Sequence, residues 1–189
     1  MRRFTPTVAA IAIAAIQAAC AGSGSEPLAP PSTSSASRAQ SEVRRIEIHD
    51  ACDPTTFDAA IGAGTCTRQG GMKFSSFIEQ LTKNKVAAAW RFAPVNLNIR
   101  LGQAFSATNI GGETHTFTEV EEYGGGIVPL LNQLSGNTTV APECAALAPT
   151  DFLPMGASSA PDTPEEVGVE KYQCCIHPWM RMTVTINRA

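Results

Sequence analysis

Metal-binding chemistry is densest in this sequence at Cys174-Cys175-Ile176-His177-Pro178-Trp179-Met180. Within these seven positions a thiol, an imidazole and a thioether follow one another. A thiolate is a soft donor, an imidazole a borderline one and a thioether a weak second sulfur. That set holds copper in both of its oxidation states. A second imidazole, His115, lies upstream in Gly112-Glu113-Thr114-His115-Thr116-Phe117-Thr118. Two imidazoles and a thiolate in a roughly trigonal arrangement, with a long axial sulfur, form a mononuclear blue-copper site, whose chemistry is one-electron transfer. The spacing Cys174-x-x-His177-x-x-Met180 places three donors on one tight turn between the last two strands. His115 would start a separate strand, so the scaffold and not the ion sets the geometry.

Two neighbours compete for these roles. Successive residues of an extended chain point to opposite sides, so Cys175 faces away if Cys174 faces the metal. Adjacent cysteines also do not supply the separation that a two-copper site needs. Met182 is the alternative axial donor to Met180, but it opens the run Met182, Val184, Ile186, whose apolar side faces a core. Met180 is therefore favoured. The chain has three histidines, and the third, His49, stands beside Asp50 with no motif partner. A multicopper oxidase or copper nitrite reductase needs further histidine-rich sites. No Ser-His-Asp set, paired catalytic carboxylates or phosphate-binding loop is evident, so the chain reads as a non-enzyme.

These residues need a scaffold. Val43 to His49 alternates like a strand, and Asp50 to Gly71 reads as loop. Phe74, Phe77, Ile78 and Leu81 fall at helical spacing, predicting a helix near 74–83 with Ser76 and Glu79 as its capping box. From Val86 the period becomes two. Strands are predicted over 86–92, 95–99, 104–109, 114–120, 167–174 and 182–187. Residues 124 to about 165 read as loops with one or two short helical turns. Short strands at this spacing fit an antiparallel sandwich.

The 189 residues suffice for one domain plus appendages, and 43% are apolar. The net charge of -3 predicts no nucleic-acid partner. Glu119, Glu121 and Glu122 read as a solvated face. Residues 1–20 read as a signal: Arg2 and Arg3 precede an apolar run, Val8 to Ala19, that ends in small residues. Cys20 follows directly and resembles the lipidated cysteine of a bacterial lipoprotein, although Gln17 stands where an apolar residue is usual. Lipidation and simple cleavage both stay open. Residues 21–42, rich in Ser, Pro, Ala and Gly, read as a linker or tether. Export implies an oxidising compartment. Of six cysteines, Cys20 leaves with the signal or carries the lipid, and one motif cysteine is assigned to the metal. Cys52 and Cys66 bracket a short loop and are expected to pair, which leaves Cys144 and Cys175 for each other. Four cysteines allow three connectivities, and free thiols at Cys144 and Cys175 are the alternative.

The chain resembles the cupredoxins, the plastocyanin and amicyanin family. Phe92-Ala93-Pro94, Leu97, Ile99, Gly102 and Asn109, followed by His115-Thr116-Phe117, resemble the family's N-terminal half. Tyr172-Gln173-Cys174, His177-Pro178-Trp179-Met180 and Val184-Thr185-Ile186 resemble its ligand loop and last strand. The Pro178, aromatic, Met180-Arg181 sequence matches the amicyanin-like loop without gaps; Met182 gives the longer spacing of plastocyanin and pseudoazurin. The resemblance covers roughly 84–189 and implies an all-β, Greek-key β-sandwich, preceded by a helix-containing extension over 43–83. It implies one type 1 copper held by His115, Cys174, His177 and Met180, with the Thr116 N–H donating to the thiolate. It further implies an exported or periplasmic carrier, a monomer docking transiently with redox proteins through an exposed His177 edge flanked by Pro178 and Trp179. A periplasmic copper-delivery protein with the same ligands is the alternative.

Overall fold

The computed structural model describes residues 42–188. The signal, Cys20 and all but the last residue of the linker lie outside the described residues. Two sheets form the body. One has the order β2-β1-β4, with β1 Arg44–His49, β2 Arg91–Ala93 and β4 Phe105–Asn109. The other has the order β3-β9-β8-β6, with β3 Asn96–Arg100, β6 Thr118–Val120, β8 Gly168–Gln173 and β9 Arg181–Asn187. A two-stranded ribbon joins β5 His115–Thr116 to β7 Phe152–Leu153.

The alternation that predicts the strands also builds the core. Leu97 and Ile99 from β3, and Met182, Val184 and Ile186 from β9, are buried at every second position. They join Ile46, Ile48, Phe92, Phe105 and Ala107 of the other sheet in one apolar cluster. The all-β sandwich class expected from the sequence is thus found, but the sheets are mixed and not antiparallel throughout. β1 runs parallel to β4, and β3 parallel to β9. Parallel neighbours need long crossovers, and the chain between β1 and β4 supplies one through two helices and two strands.

Segment 43–83, set apart by the sequence as an extension, is structurally continuous with the sandwich. Its β1 is the central strand of the three-stranded sheet. It then forms α1, Pro54–Ile61, and α2, Phe74–Asn84. α1 replaces the expected loop. Asp53 caps it by accepting the Thr56 N–H at 3.0 Å, and Pro54 occupies the first turn, where its missing N–H costs nothing. α2 lies where the periodicity predicts, without the Ser76–Glu79 capping box. Ser76 falls inside the helix, and the Phe74 N–H instead donates to Thr56 Oγ1 of α1 at 3.1 Å.

Other differences are local. Residues 86–90 form turns, not strand, so that Trp90 is buried against Phe57 and Phe77. The strand expected over 114–120 breaks at Phe117, because β5 pairs with β7 while β6 pairs with β8. Between β6 and β8 lie α3 Pro129–Ser135, α4 Pro142–Ala145, a short 3-10 turn and β7; the sequence does not foresee β7. Glu119, Glu121 and Glu122 are exposed as expected. Cys52–Cys66 and Cys144–Cys175 are disulfide-bonded, and Cys174 is the free cysteine among the described residues. No described helix is long and apolar enough to cross a membrane.

Candidate metal centre

β8 ends at Gln173 and β9 begins at Arg181, so Cys174 to Met180 is the connection between them. Two hydrogen bonds close it: the Cys174 N–H donates to Met180 O at 3.0 Å, and the Met180 N–H to His177 O at 2.9 Å. Arg181 Nε donates to Pro178 O at 2.8 Å and braces the turn from outside. A neighbouring loop packs tightly on its other side. The Ile127 N–H donates to Cys175 O at 2.7 Å, and a Cβ on Gly126 would lie 1.9 Å from that oxygen, so only glycine fits there.

His115 arrives from β5, opposite Leu153. Asn109, fully buried, holds the loop before it: its Nδ2 donates to Glu113 O at 2.7 Å and to Leu153 O at 2.8 Å. The structure brings His115, Cys174 and His177 together, with their donor atoms within 4.8 Å of one another. Cys174 Sγ lies 3.8 Å from His115 Nδ1 and 3.7 Å from His177 Nδ1. A trigonal ion with bonds of roughly 2.0–2.3 Å to nitrogen and sulfur separates such donors by about 3.7 Å. The three groups therefore fit one small ion. The Thr116 N–H points at Cys174 Sγ, 3.4 Å away.

Cys175 turns away from the site into its disulfide, as the alternation predicts, and its N–H donates to Thr116 Oγ1 at 2.8 Å. Met180 is buried within the ligand turn. Met182 stands in β9 opposite Tyr172, on the core face with Val184 and Ile186. His49 is not part of the centre; its Nε2 meets Glu47 at 3.1 Å.

One expectation is corrected. His177 has no exposed edge: it is 2% exposed, and Pro178 is buried as well. The covering comes from Trp90 and Phe77, backed by Phe57 and Phe74, all in the segment from α1 to residue 90. Trp90 and Trp179 flank the imidazole at 6.5 Å and 5.4 Å between ring centroids, and Phe77 contacts both tryptophans.

Two carboxylates that sequence reasoning did not assign stand behind the imidazoles. Asp50 Oδ2 lies 2.9 Å from His115 Nε2, with both side chains buried. Glu113 Oε2 lies 3.6 Å from His177 Nε2 and accepts the Trp90 Nε1–H at 2.5 Å. Burial alone would raise the Asp50 carboxyl, but the hydrogen bonds from His115 and from the Glu113 and Gly112 amides prevail and hold it at about 2. Burial likewise opposes charge on His115, yet its bonds to Asp50 and Cys174 lift it to about 9. At Glu113 burial dominates and pushes the carboxyl up, despite His177 and Trp90. Cys174 is fully buried, which disfavours the thiolate. The two imidazoles outweigh that and drive its thiol well below the ordinary range. A deprotonated sulfur is the state a metal ligand needs.

No protein-family model and no curated protein matches the chain. Solved structures do. One is a purple cupredoxin from Nitrosopumilus maritimus, 20% identical, covering 76% of this chain and 99% of that one at a TM-score of 0.42. A Cu(I) methionine-to-alanine variant of amicyanin is 14% identical, covering 51% and 73% at 0.35. A reduced tryptophan-to-tyrosine variant of amicyanin is 17% identical, covering 54% and 77% at 0.35. Its two mixed sheets close on one apolar core as a β-sandwich, and the turn between β8 and β9 brings Cys174 and His177 to His115.

Proposed function

We propose that the chain is an exported mononuclear type 1 copper protein that carries single electrons between redox proteins and is not itself an enzyme. The observation that carries this reading is the convergence of His115 Nδ1, His177 Nδ1 and Cys174 Sγ at separations suited to a trigonal ion. Bound copper would supply the one-electron couple. The protein's residues do the rest. Cys174 is offered as a thiolate, and the Thr116 N–H stabilises its charge. His115 and His177 are aimed from two elements, Met180 in the same turn as His177 would supply a further sulfur, and all four side chains are buried.

The same donors would serve a copper-delivery protein. That role needs rapid release, and burial of every donor opposes it. A cleft of about 430 Å³, lined by Phe74, Phe77, Leu130, Leu131 and Ile176, reaches His177 and offers a transient partner its approach to the imidazole.

The copper-loaded protein should show intense thiolate-to-copper absorption and the narrow copper hyperfine splitting of a type 1 centre by electron paramagnetic resonance. Cys174→Ser should abolish both. A copper-loaded wild-type protein without that absorption sinks the proposal. Reversible redox chemistry without fast copper transfer to a chelating acceptor separates carrier from delivery protein.

A further inference from the structure

We infer that Asp50 is a positioning residue of this centre, and that its fixed, buried negative charge biases the bound copper toward the oxidised ion. The inference rests on the copper reading above and concerns a residue 65 positions from the histidine it serves.

The geometry is that of a built carboxylate site. Asp50 follows the last residue of β1, the central strand. Its Oδ2 meets His115 Nε2 at 2.9 Å and accepts the Gly112 and Glu113 N–H groups at 2.8 Å and 2.9 Å. Its Oδ1 accepts from Gly112 at 2.9 Å and from Cys52 at 3.2 Å. The carboxylate would therefore stay in place without the imidazole. The loop is shaped to admit it: a Cβ on Gly111 would stand 2.1 Å from Oδ2.

Two consequences follow from this contact. His115 turns Nδ1 toward Cys174 Sγ. A carboxylate on the far nitrogen holds the proton at Nε2 and leaves the Nδ1 lone pair free for metal, the usual role of a carboxylate behind a ligating histidine. Moreover, a full negative charge one imidazole away attracts a doubly charged ion more than a singly charged one. Over that distance, in a protein interior of effective dielectric near 20, the preference amounts to roughly tenfold to a hundredfold. Glu113 is no equivalent. Its oxygen is 3.6 Å from His177 and shared with Trp90, beyond hydrogen-bond length.

The test compares full-length copper protein with Asp50→Asn and Asp50→Glu by redox titration. Asp50→Asn should retain the thiolate absorption and lose at least tenfold of its Cu(II)-over-Cu(I) preference. That is a rise of about 59 mV or more for a one-electron couple. Asp50→Glu should recover most of the loss. An unchanged or lowered potential in Asp50→Asn overturns the inference. Should that variant not fold, nitrogen-15 NMR of the wild-type Cu(I) form decides. A protonated, exchange-protected His115 Nε2 supports the role, and a His115 protonated at Nδ1, or an Nε2 proton exchanging freely with solvent, refutes it. Absence of thiolate absorption in the wild type would overturn the copper reading and this inference with it, whereas the absorption together with an unmoved Asp50→Asn potential removes this inference alone.

Discussion

Cys174 combines full burial with a thiol driven toward its ionised form, because two imidazoles face it, His115 from β5 and His177 from its own turn. In the copper-free site a thiolate thus faces imidazole whose proton a bound ion would displace. Asp50 supports that state, and its effect has a pH signature in the copper-free protein. Its carboxyl is held at about 2 when folded, below the unfolded value near 4. A depressed folded pKa stabilises the native state above the unfolded pKa, and the contribution fades as pH falls through the folded one. Copper-free Asp50→Asn should therefore be less stable than wild type at pH 6 by about 2 kcal/mol. The gap should narrow between about pH 4 and 2, as read by urea unfolding across pH; a constant gap would contradict the charge argument. The two methionines separate in the same way. Met180→Leu should shift the visible spectrum and the potential. Met182→Leu, a near-isosteric core change, should cost less than about 1.5 kcal/mol and leave both unmoved. The reverse pattern would make Met182 the axial donor.

At the scale of elements, the ligand turn is held by its flanks. The Cys144–Cys175 disulfide ties α4 to the residue after the ligand cysteine and closes a 31-residue separation. Val120 and Ala141 pack around it in a small core of their own. The double variant Cys144→Ser/Cys175→Ser should lose about 2–4 kcal/mol of stability. Its thiolate absorption should survive, since Cys175 points away from the donors. Loss of that absorption in a folded variant would show that Cys175 does more than brace. The lid has its own weak point. α2 ends at Asn84, and the cap residue Lys85 has a φ of 65°, in the left-handed region, while its N–H donates to Leu81 O. That backbone suits glycine, so Lys85→Gly should raise the thermal midpoint, by a stabilisation of about 1 kcal/mol. No rise would mean that the unfolded chain's entropy cancels the relief.

At the scale of the whole molecule, the sandwich and its lid share one apolar cluster, which runs from Ile186 to Phe57 and includes Cys174 and Met180. A chain starting at residue 84 would lack β1 between β2 and β4, the α1–α2 lid and Asp50. It should fail to unfold cooperatively by circular dichroism; a sharp transition in residues 84–189 alone would refute this. The sequence alone determined whatever depends on residue type and short spacing. The spacing Cys174-x-x-His177-x-x-Met180 and the place of His115 mark the proposed copper ligands, alternation places β9, helical spacing places α2, and the short loop between Cys52 and Cys66 points to their pairing. Asp53-Pro54 signals a helix start as well, but it sits among Gly, Ala and Thr residues that read as loop. Only the tertiary structure decided the rest. Asp50 meets His115 across 65 positions, and no local pattern encodes a partner at that distance. Trp90 leaves the strand period because an aromatic lid outweighs its β preference. His177 is buried by elements far from it in the chain, since exposure is a property of what packs above a residue and not of the residue itself.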